Sequence, residues 1–270
     1  MGDKLIFLGT AGEAPSKERL SSGGFVLQTE GMQFHVDPGP GALLNIRAAN
    51  INPRENTAIL VSHAHVAHCS DINALIAATT NSGSDKRCTV IAPPSLVSTE
   101  EGAIPYITQF FRNCVEQIIG IKAGNKIKLG RVEIHATKSV HPKEEDAVGF
   151  KFLCPKFTLG YTGDTQYYKE IHEEYKGLDI LIFNVQEPFG RKKQGHLSAD
   201  DVITILNKVK PKLAILTHLG AQIMKDDPLA LGREINRRTN RAIIIAKDGM
   251  VVNPVDNSAG ARQKTLNIYE

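Results

Sequence analysis

Apolar residues come in short runs along this chain, each closed by glycine, proline or a polar pair. Residues 5–8 read as a short strand that ends in the flexible turn Gly9-Thr10-Ala11-Gly12. Residues 24–29 and 32–36 read as a hairpin joined at Glu30-Gly31, after which Asp37-Pro38-Gly39-Pro40-Gly41 breaks the chain. Residues 42–49 predict a helix. Residues 58–61 are apolar without alternation, the pattern of a strand buried on both faces. Ser70-Asp71 is expected to cap a helix running through Thr79, since such side chains accept the free N–H groups of a first turn. Residues 89–92 form a further strand, closed by Pro93-Pro94, and a helical stretch follows around 104–114.

From 117 to 157 the pattern is β-rich, with strands at 127–129, 132–136 and 148–153. From 169 onward strands at 178–185, 213–217 and 242–246 alternate with helices near 199–209 and 229–238. Asp248-Gly249 predicts a hairpin turn into 250–253, and the segment after Pro254 is polar and expected to be loosely held. A β-rich first half and a β/α second half, with no linker between them and no internal repeat, predict one α/β domain over residues 1–254. Its helices lie outside packed sheets, and a polar tail covers 255–270.

Composition narrows this little. The chain has 270 residues, 41% hydrophobic and 23% charged, enough for a substantial core. No apolar run approaches the ~18–20 residues of a bilayer span. Leu5-Ile6-Phe7-Leu8 is too short for a secretion signal, and Ile6 breaks the myristoylation pattern. A soluble, cytoplasmic protein is expected. Cys69, Cys88, Cys114 and Cys154 are widely spread, which favours reduced thiols over a disulfide framework. The net charge of +3 is too mild to imply nucleic acid by itself. Arg191-Lys192-Lys193 is the compact basic run; a solvated loop is the default for it, and a phosphate contact is the sharper reading.

Candidate chemistry concentrates in Ser62-His63-Ala64-His65-Val66-Ala67-His68, directly after the 58–61 strand. An extended backbone points His63 and His65 to one side, and His68 can swing back toward them after the turn. Imidazole suits Zn²⁺, Fe and Mn. A lone histidine is usually structural; this clustering is metal-ligand spacing. Cys69 follows His68 into the helix and is a weak ligand candidate. Further candidates stand at predicted strand ends: His141 before Pro142, Asp164 in Tyr161-Thr162-Gly163-Asp164-Thr165, His218 after 213–217, and His196 ahead of a helix.

These segments together resemble the metallo-β-lactamase superfamily. The resemblance is carried by Phe7-Leu8-Gly9-Thr10-Ala11-Gly12, Asp37-Pro38-Gly39, His63/His65/His68, His141, Gly163-Asp164-Thr165, His196 and His218, in that family's order over nearly the whole chain. His196-Leu197-Ser198 resembles the histidine-hydroxyl motif of the ribonuclease Z branch and its archaeal-type phosphodiesterase relatives. The resemblance implies an αββα sandwich of the metallo-β-lactamase type with a two-metal site at one edge of the sheets. It implies His63, His65 and His141 on a first metal, Asp164 bridging both, and His68 and His218 on a second. His196 would reach the substrate phosphate or protonate the leaving oxygen. Asp37 matches the family's early aspartate, implied as a support or turn residue rather than a ligand. The implied cofactor is Zn²⁺, one or two ions, with Mn²⁺ or Fe²⁺ as alternatives.

The family's H-x-H-x-D-H pattern has its aspartate where this chain has Ala67. A methyl group neither coordinates a metal nor accepts a proton, so the second site loses an anionic ligand. Every other matched position is intact, which points to an isolated change rather than decay. The expected function is a metal-dependent hydrolase, a phosphodiesterase or nuclease using a metal-bound hydroxide, impaired at position 67. Fold does not settle chemistry, so two alternatives stand: a catalytically silent metal- or RNA-binding member of the same fold, and a thioester or lactone hydrolase. The expected partners are a phosphodiester or RNA substrate and no membrane, with a homodimer left open. No long basic arm is visible, which favours a small or single-stranded substrate over tRNA 3′-end processing.

Overall fold

The computed structural model describes residues 2–12, 21–99, 106–142 and 146–261. One sheet contains β1 (Lys4–Phe7), β2 (Phe25–Thr29), β3 (Met32–Val36), β4 (Asn56–Leu60), β5 (Thr89–Ala92) and β6 (Gln117–Gly120). The other contains β7 (Lys126–Leu129), β8 (Val132–Lys138), β9 (Val148–Leu153), β10 (Thr158–Tyr161), β11 (Ile180–Glu187), β13 (Leu213–Thr217) and β14 (Ala242–Ile245), with β12 (Leu197–Ser198) beside β11. The chain then returns to the first sheet with β15 (Met250–Val252) and β16 (Ala259–Ala261). The spatial orders are β16-β15-β1-β2-β3-β4-β5-β6 and β14-β13-β11-β10-β9-β8-β7.

Period-two side-chain alternation sorts the apolar residues into three cores. Leu5 and Phe7, Ala58 and Leu60, Ile180 and Ile182, and Leu213 and Ile215 face inward and fill the space between the sheets. Their neighbours face outward. Ile6, Val26, Ile59 and Val90 meet Ile46, Leu75 and Ile76 from helices Ala42–Ala48 and Ile72–Thr80. On the other side Leu181, Phe183 and Leu216 meet Val202, Ile205, Leu206 and Ile235 from helices Ala199–Val209 and Pro228–Thr239. Each such side chain contributes roughly 1.5–3 kcal/mol on burial. The result is helix, sheet, sheet, helix: the expected αββα sandwich. The continuous apolar strands are buried on both faces, as their lack of alternation predicts.

Strand direction then sets where functional side chains can gather. β10, β11 and β13 are parallel, and β8 lies two antiparallel steps from β10, so all four run the same way. Their C-terminal ends share one edge of the second sheet.

Four expectations need correction. Asp248-Gly249 is not a hairpin turn, because β14 and β15 belong to different sheets; the turn carries the chain across. Neither Ser70 nor Asp71 caps the helix at Ile72 with its side chain. Asp71 Oδ2 instead accepts from Leu43 N–H at 3.3 Å, in the first turn of the neighbouring helix. Of the stretch at 104–114, only Gln109–Arg112 is helical among the described residues; 104 and 105 lie outside them. The polar segment past Pro254 is not all loose: Ala259–Ala261 pairs antiparallel with β15, while 262–270 lies outside the described residues. All four cysteines are free and buried, and no helix among the described residues is long and apolar enough to cross a membrane.

His35 on β3 is fully buried, paired in register with Val26 and Ile59, and its Nε2 lies 3.2 Å from the Gly23 carbonyl. Burial pushes its pKa down from 6.5 to about 4 against the opposing pull of that carbonyl and of Asp37. The unfolded chain therefore takes up this proton at higher pH than the fold does. The stability held by neutral His35 is complete above about pH 6.5 and drains away as pH falls toward 4. At 1.36 kcal/mol per pKa unit this amounts to about 3 kcal/mol. Urea unfolding across that window should show a shallower acid limb for His35→Gln than for the parent, whatever the variant's absolute stability; identical slopes would contradict the assignment.

Candidate metal centre

Loops from both sheets carry the histidines, one after β4 of the first sheet and the rest at the shared strand edge of the second. His63 and His65 follow β4, His68 lies on the single turn Val66–Cys69, His141 follows β8, Asp164 follows β10, and His218 follows β13. His196 sits between β11 and β12, just ahead of Ser198, which caps helix Ala199–Val209 in a reciprocal pair with Asp201. That cap fixes the chain two residues from His196.

The segment from Ser62 to Ala64 is a bend rather than an extended strand, yet the imidazoles converge. Ring centroids of His63 lie 4.7 Å from His65, 4.1 Å from His68 and 4.9 Å from His141. Ligand atoms of His63, His65, His141 and Asp164 form one group and those of His68, Asp164 and His218 another, each spanning no more than 4.8 Å. Asp164 belongs to both. Its Oδ2 is 3.3 Å from His218 Nε2, 3.4 Å from His68 Nε2 and 3.9 Å from His63 Nε2. His196 stands beside the groups, with Nδ1 3.6 Å from the same oxygen.

Most of these side chains are held by their far atoms, which turns the near ones inward. His68 Nδ1 pairs with Asp37 Oδ2 at 2.8 Å, and His141 Nδ1 with the Gly195 carbonyl at 3.0 Å. Asp164 Oδ1 accepts from Asn184 Nδ2 at 2.7 Å. His63 Nε2, His68 Nε2, His218 Nε2 and Asp164 Oδ2 are buried without a hydrogen bond among the described residues. Each such orphan costs about 1–3 kcal/mol. His141 Nε2 and His65 Nδ1 face each other at 3.2 Å, where two lone pairs would repel unless a proton or a cation lay between them. A nitrogen and oxygen donor set of this kind fits a divalent cation of the zinc, iron or manganese type.

The electrostatics divide the cluster. Burial alone would lower the pKa of His68, but the carboxylates of Asp164 and Asp37 outweigh it and push it up to about 10. Burial and the neighbouring His68 charge hold His63 well below the usual imidazole value. Burial would raise Asp164, yet His218 and His68 bring it well below the carboxylate range. Asp164 ionised and His63 deprotonated are the states that bind a cation, whereas His68 is held protonated and must release its proton before it can act as a ligand.

A Beta-lactamase superfamily domain matches residues 33–219, more than half of the chain. The chain belongs to the β-lactamase superfamily. An uncharacterized protein of Methanocaldococcus jannaschii is 29% identical over 256 residues, spanning 92% of this chain and 94% of its own. Ribonuclease Z of Pyrobaculum islandicum is 25% identical over 258 residues, spanning 81% of this chain and 87% of its own. Among solved structures, the metallo-β-lactamase fold protein YhfI from Bacillus subtilis superposes with a TM-score of 0.78 at 19% identity. That match covers 96% of this chain and all of YhfI.

Within this superfamily scaffold, Asp37 gathers three residues to which the sequence assigns no role: Ser62, Tyr161 and, through Tyr161, Asn184. Asp37 lies outside both ligand groups, in the left-handed region at φ 53°. Its carboxylate accepts from Ser62 N–H and Ser62 Oγ at 2.7 Å each and from Tyr161 OH at 2.6 Å, besides pairing with His68. Asn184 donates to Tyr161 OH at 3.0 Å as well as to Asp164. Asn184 reads only as part of the 178–185 strand, and Ser62 and Tyr161 stand out only as neighbours of His63 and Gly163-Asp164. Ala67 borders a cavity of about 20 Å³ that is also lined by Asp37, His68, Thr217 and His218.

Removing the Asp37 carboxylate leaves His68 Nδ1, Tyr161 OH and both Ser62 donors buried without their acceptor. Asp37→Ala should therefore cost about 3–5 kcal/mol in urea unfolding, and Asp37→Asn, which keeps an acceptor oxygen, clearly less. A loss below about 1 kcal/mol for the alanine variant would mean the donors find other partners.

Proposed function

We propose that the chain is a metal-dependent hydrolase of phosphodiesters. In this reading His63, His65, His141 and Asp164 hold one divalent cation, zinc ahead of manganese or iron, and His68, Asp164 and His218 hold a second more weakly. The observation that carries it is the set of buried polar atoms of His63, His68, His218 and Asp164 that have no hydrogen bond among the described residues and face one another. The choice of a phosphodiester is supported by the ribonuclease Z relatives. A divalent cation bound there supplies Lewis acidity toward a phosphoryl oxygen and lowers the pKa of water.

The chain's own residues divide the remaining work. Asp37, the Gly195 carbonyl and Asn184 orient His68, His141 and Asp164, so that little reorganisation is left at the moment of reaction. His196, held at the edge of the cluster near Asp164, is the group that contacts the phosphate or protonates the leaving oxygen. Ala67 contributes no carboxylate, and the second cation keeps two imidazoles and a share of Asp164. Weak turnover follows.

Elemental analysis of zinc-loaded protein should give one ion per chain, and two for Ala67→Asp. Hydrolysis of bis(p-nitrophenyl) phosphate should rise about 10–100-fold in that variant, and Asp164→Asn should lose both metal and activity. A panel with a lactone and a thioester decides the substrate class: turnover of these without the phosphodiester overturns the proposal. An Ala67→Asp protein that holds two ions and binds RNA without cleaving it would be a silent member of the fold.

A further inference from the structure

The loop between β11 and β12 carries the compact basic run beside the metal centre, and both its ends are fixed. At one end Gly190 N–H donates to Asp200 at 2.7 Å, and Phe189 lies beneath the Arg238 guanidinium, 4.7 Å from the ring centre. At the other end Gly195 N–H donates to Gln166 at 3.1 Å, while its carbonyl accepts from His141 Nδ1 at 3.0 Å. A side chain at Gly195 would put Cβ 2.3 Å from Pro142 and 2.7 Å from His141 Nδ1, so only glycine lets the loop seat this closely on His141. Between these anchors Lys193 and His196 form an antiparallel bridge, and Lys193 Nζ donates to Gln186 at 3.2 Å.

Arg191 and Lys192 at the tip are exposed, and neither has a carboxylate partner among the described residues. Some surface cations elsewhere are paired, Arg54 with Asp85 and Lys212 with Asp179 among them, while Lys86, Lys126 and Lys225 are exposed and, like these two, without one among the described residues. What sets Arg191 and Lys192 apart is that their loop is seated on His141 of the metal centre. Two adjacent cations with no counter-charge among the described residues, on a loop braced against the metal centre, are suited to an external polyanion. At roughly 3.3–3.6 Å per residue, Arg191 lies within about 15 Å of Gly195, a reach of a few nucleotides.

We infer that this loop is a phosphate brace for a single polynucleotide strand, with Arg191 and Lys192 engaging backbone phosphates that flank the one at the metal centre. The substrate of that centre is then an extended single strand rather than a mononucleotide or a cyclic phosphodiester. The narrow tip offers charge for a few phosphates of one strand, not the broad basic face a duplex would need. The inference rests on the hydrolase reading for the orientation of the strand, while strand binding is measurable without turnover.

The test uses the zinc-loaded full chain and a fluorescent uridine oligonucleotide. Arg191→Ala with Lys192→Ala should weaken binding about tenfold at low salt. It should also flatten the dependence of log K on log salt by about 1.4, since each single-strand phosphate contact contributes about 0.7. Arg191→Lys should keep the parent slope. In turnover, the ratio of oligonucleotide to bis(p-nitrophenyl) phosphate kcat/KM should fall about tenfold in the double variant. Equal slopes, or equal losses on both substrates, overturn the brace. Absence of turnover on either substrate overturns the hydrolase reading instead, and the salt slopes then decide the brace alone.

Discussion

A buried carboxylate is tolerated only where donors surround it, and the Asp37 side chain is the case on which this structure turns. It follows β3 in a left-handed conformation and takes hydrogen from Ser62 twice and from Tyr161 once, while pairing with His68. Ser62 and His68 belong to the loop after β4 in the first sheet, and Tyr161 ends β10 in the second. One acid therefore ties the two sheets together at the edge where the histidines emerge. Through Tyr161 and Asn184 the same network continues to Asp164, which keeps one oxygen for support and turns the other toward His68 and His218.

This arrangement explains how so many imidazoles can share a dry space. Each is pinned on its outer side or seated by its loop, so convergence does not depend on a soft equilibrium among rotamers. The energy that holds these unpartnered polar atoms face to face comes from the surrounding sandwich, where inward residues such as Leu5, Phe7, Ile182 and Ile215 and outward ones such as Ile59 and Phe183 fix the strand ends. The burial that stabilises the fold also strips water from the ligand atoms, which strengthens their attraction for a cation.

Much of this was legible in the chain because it follows from local pattern. Continuous apolar runs such as Ala58-Ile59-Leu60-Val61 announce strands covered on both faces, and histidines clustered at a strand end announce convergence. Asp37 also read correctly as a support. What stayed hidden depends on partners remote in sequence. Tyr161 and Asn184 look like any strand residues until Asp37 and Asp164 are set beside them. Asp71 has the composition of a helix cap, yet its carboxylate serves Leu43 in another helix. Asp248-Gly249 gives a turn locally but says nothing about which sheet the next strand will join. The short strand Thr158–Tyr161, interrupted by Gly160, lacks the apolar run that would have marked it.

That crossing at Asp248 has a consequence for how the chain comes to be made. β1 stands between β2 and β15, with Leu5 opposite Val252, and the Asp248 carboxylate also binds Thr10 and Ser21. β1 therefore waits for a strand from far along the chain, β15, before its second flank is covered. During synthesis its open backbone is a template for a neighbouring nascent chain, and closure over so long a separation is slow. β15 acts as a seal on that edge of β1, and its docking removes the open backbone that a second copy could pair with.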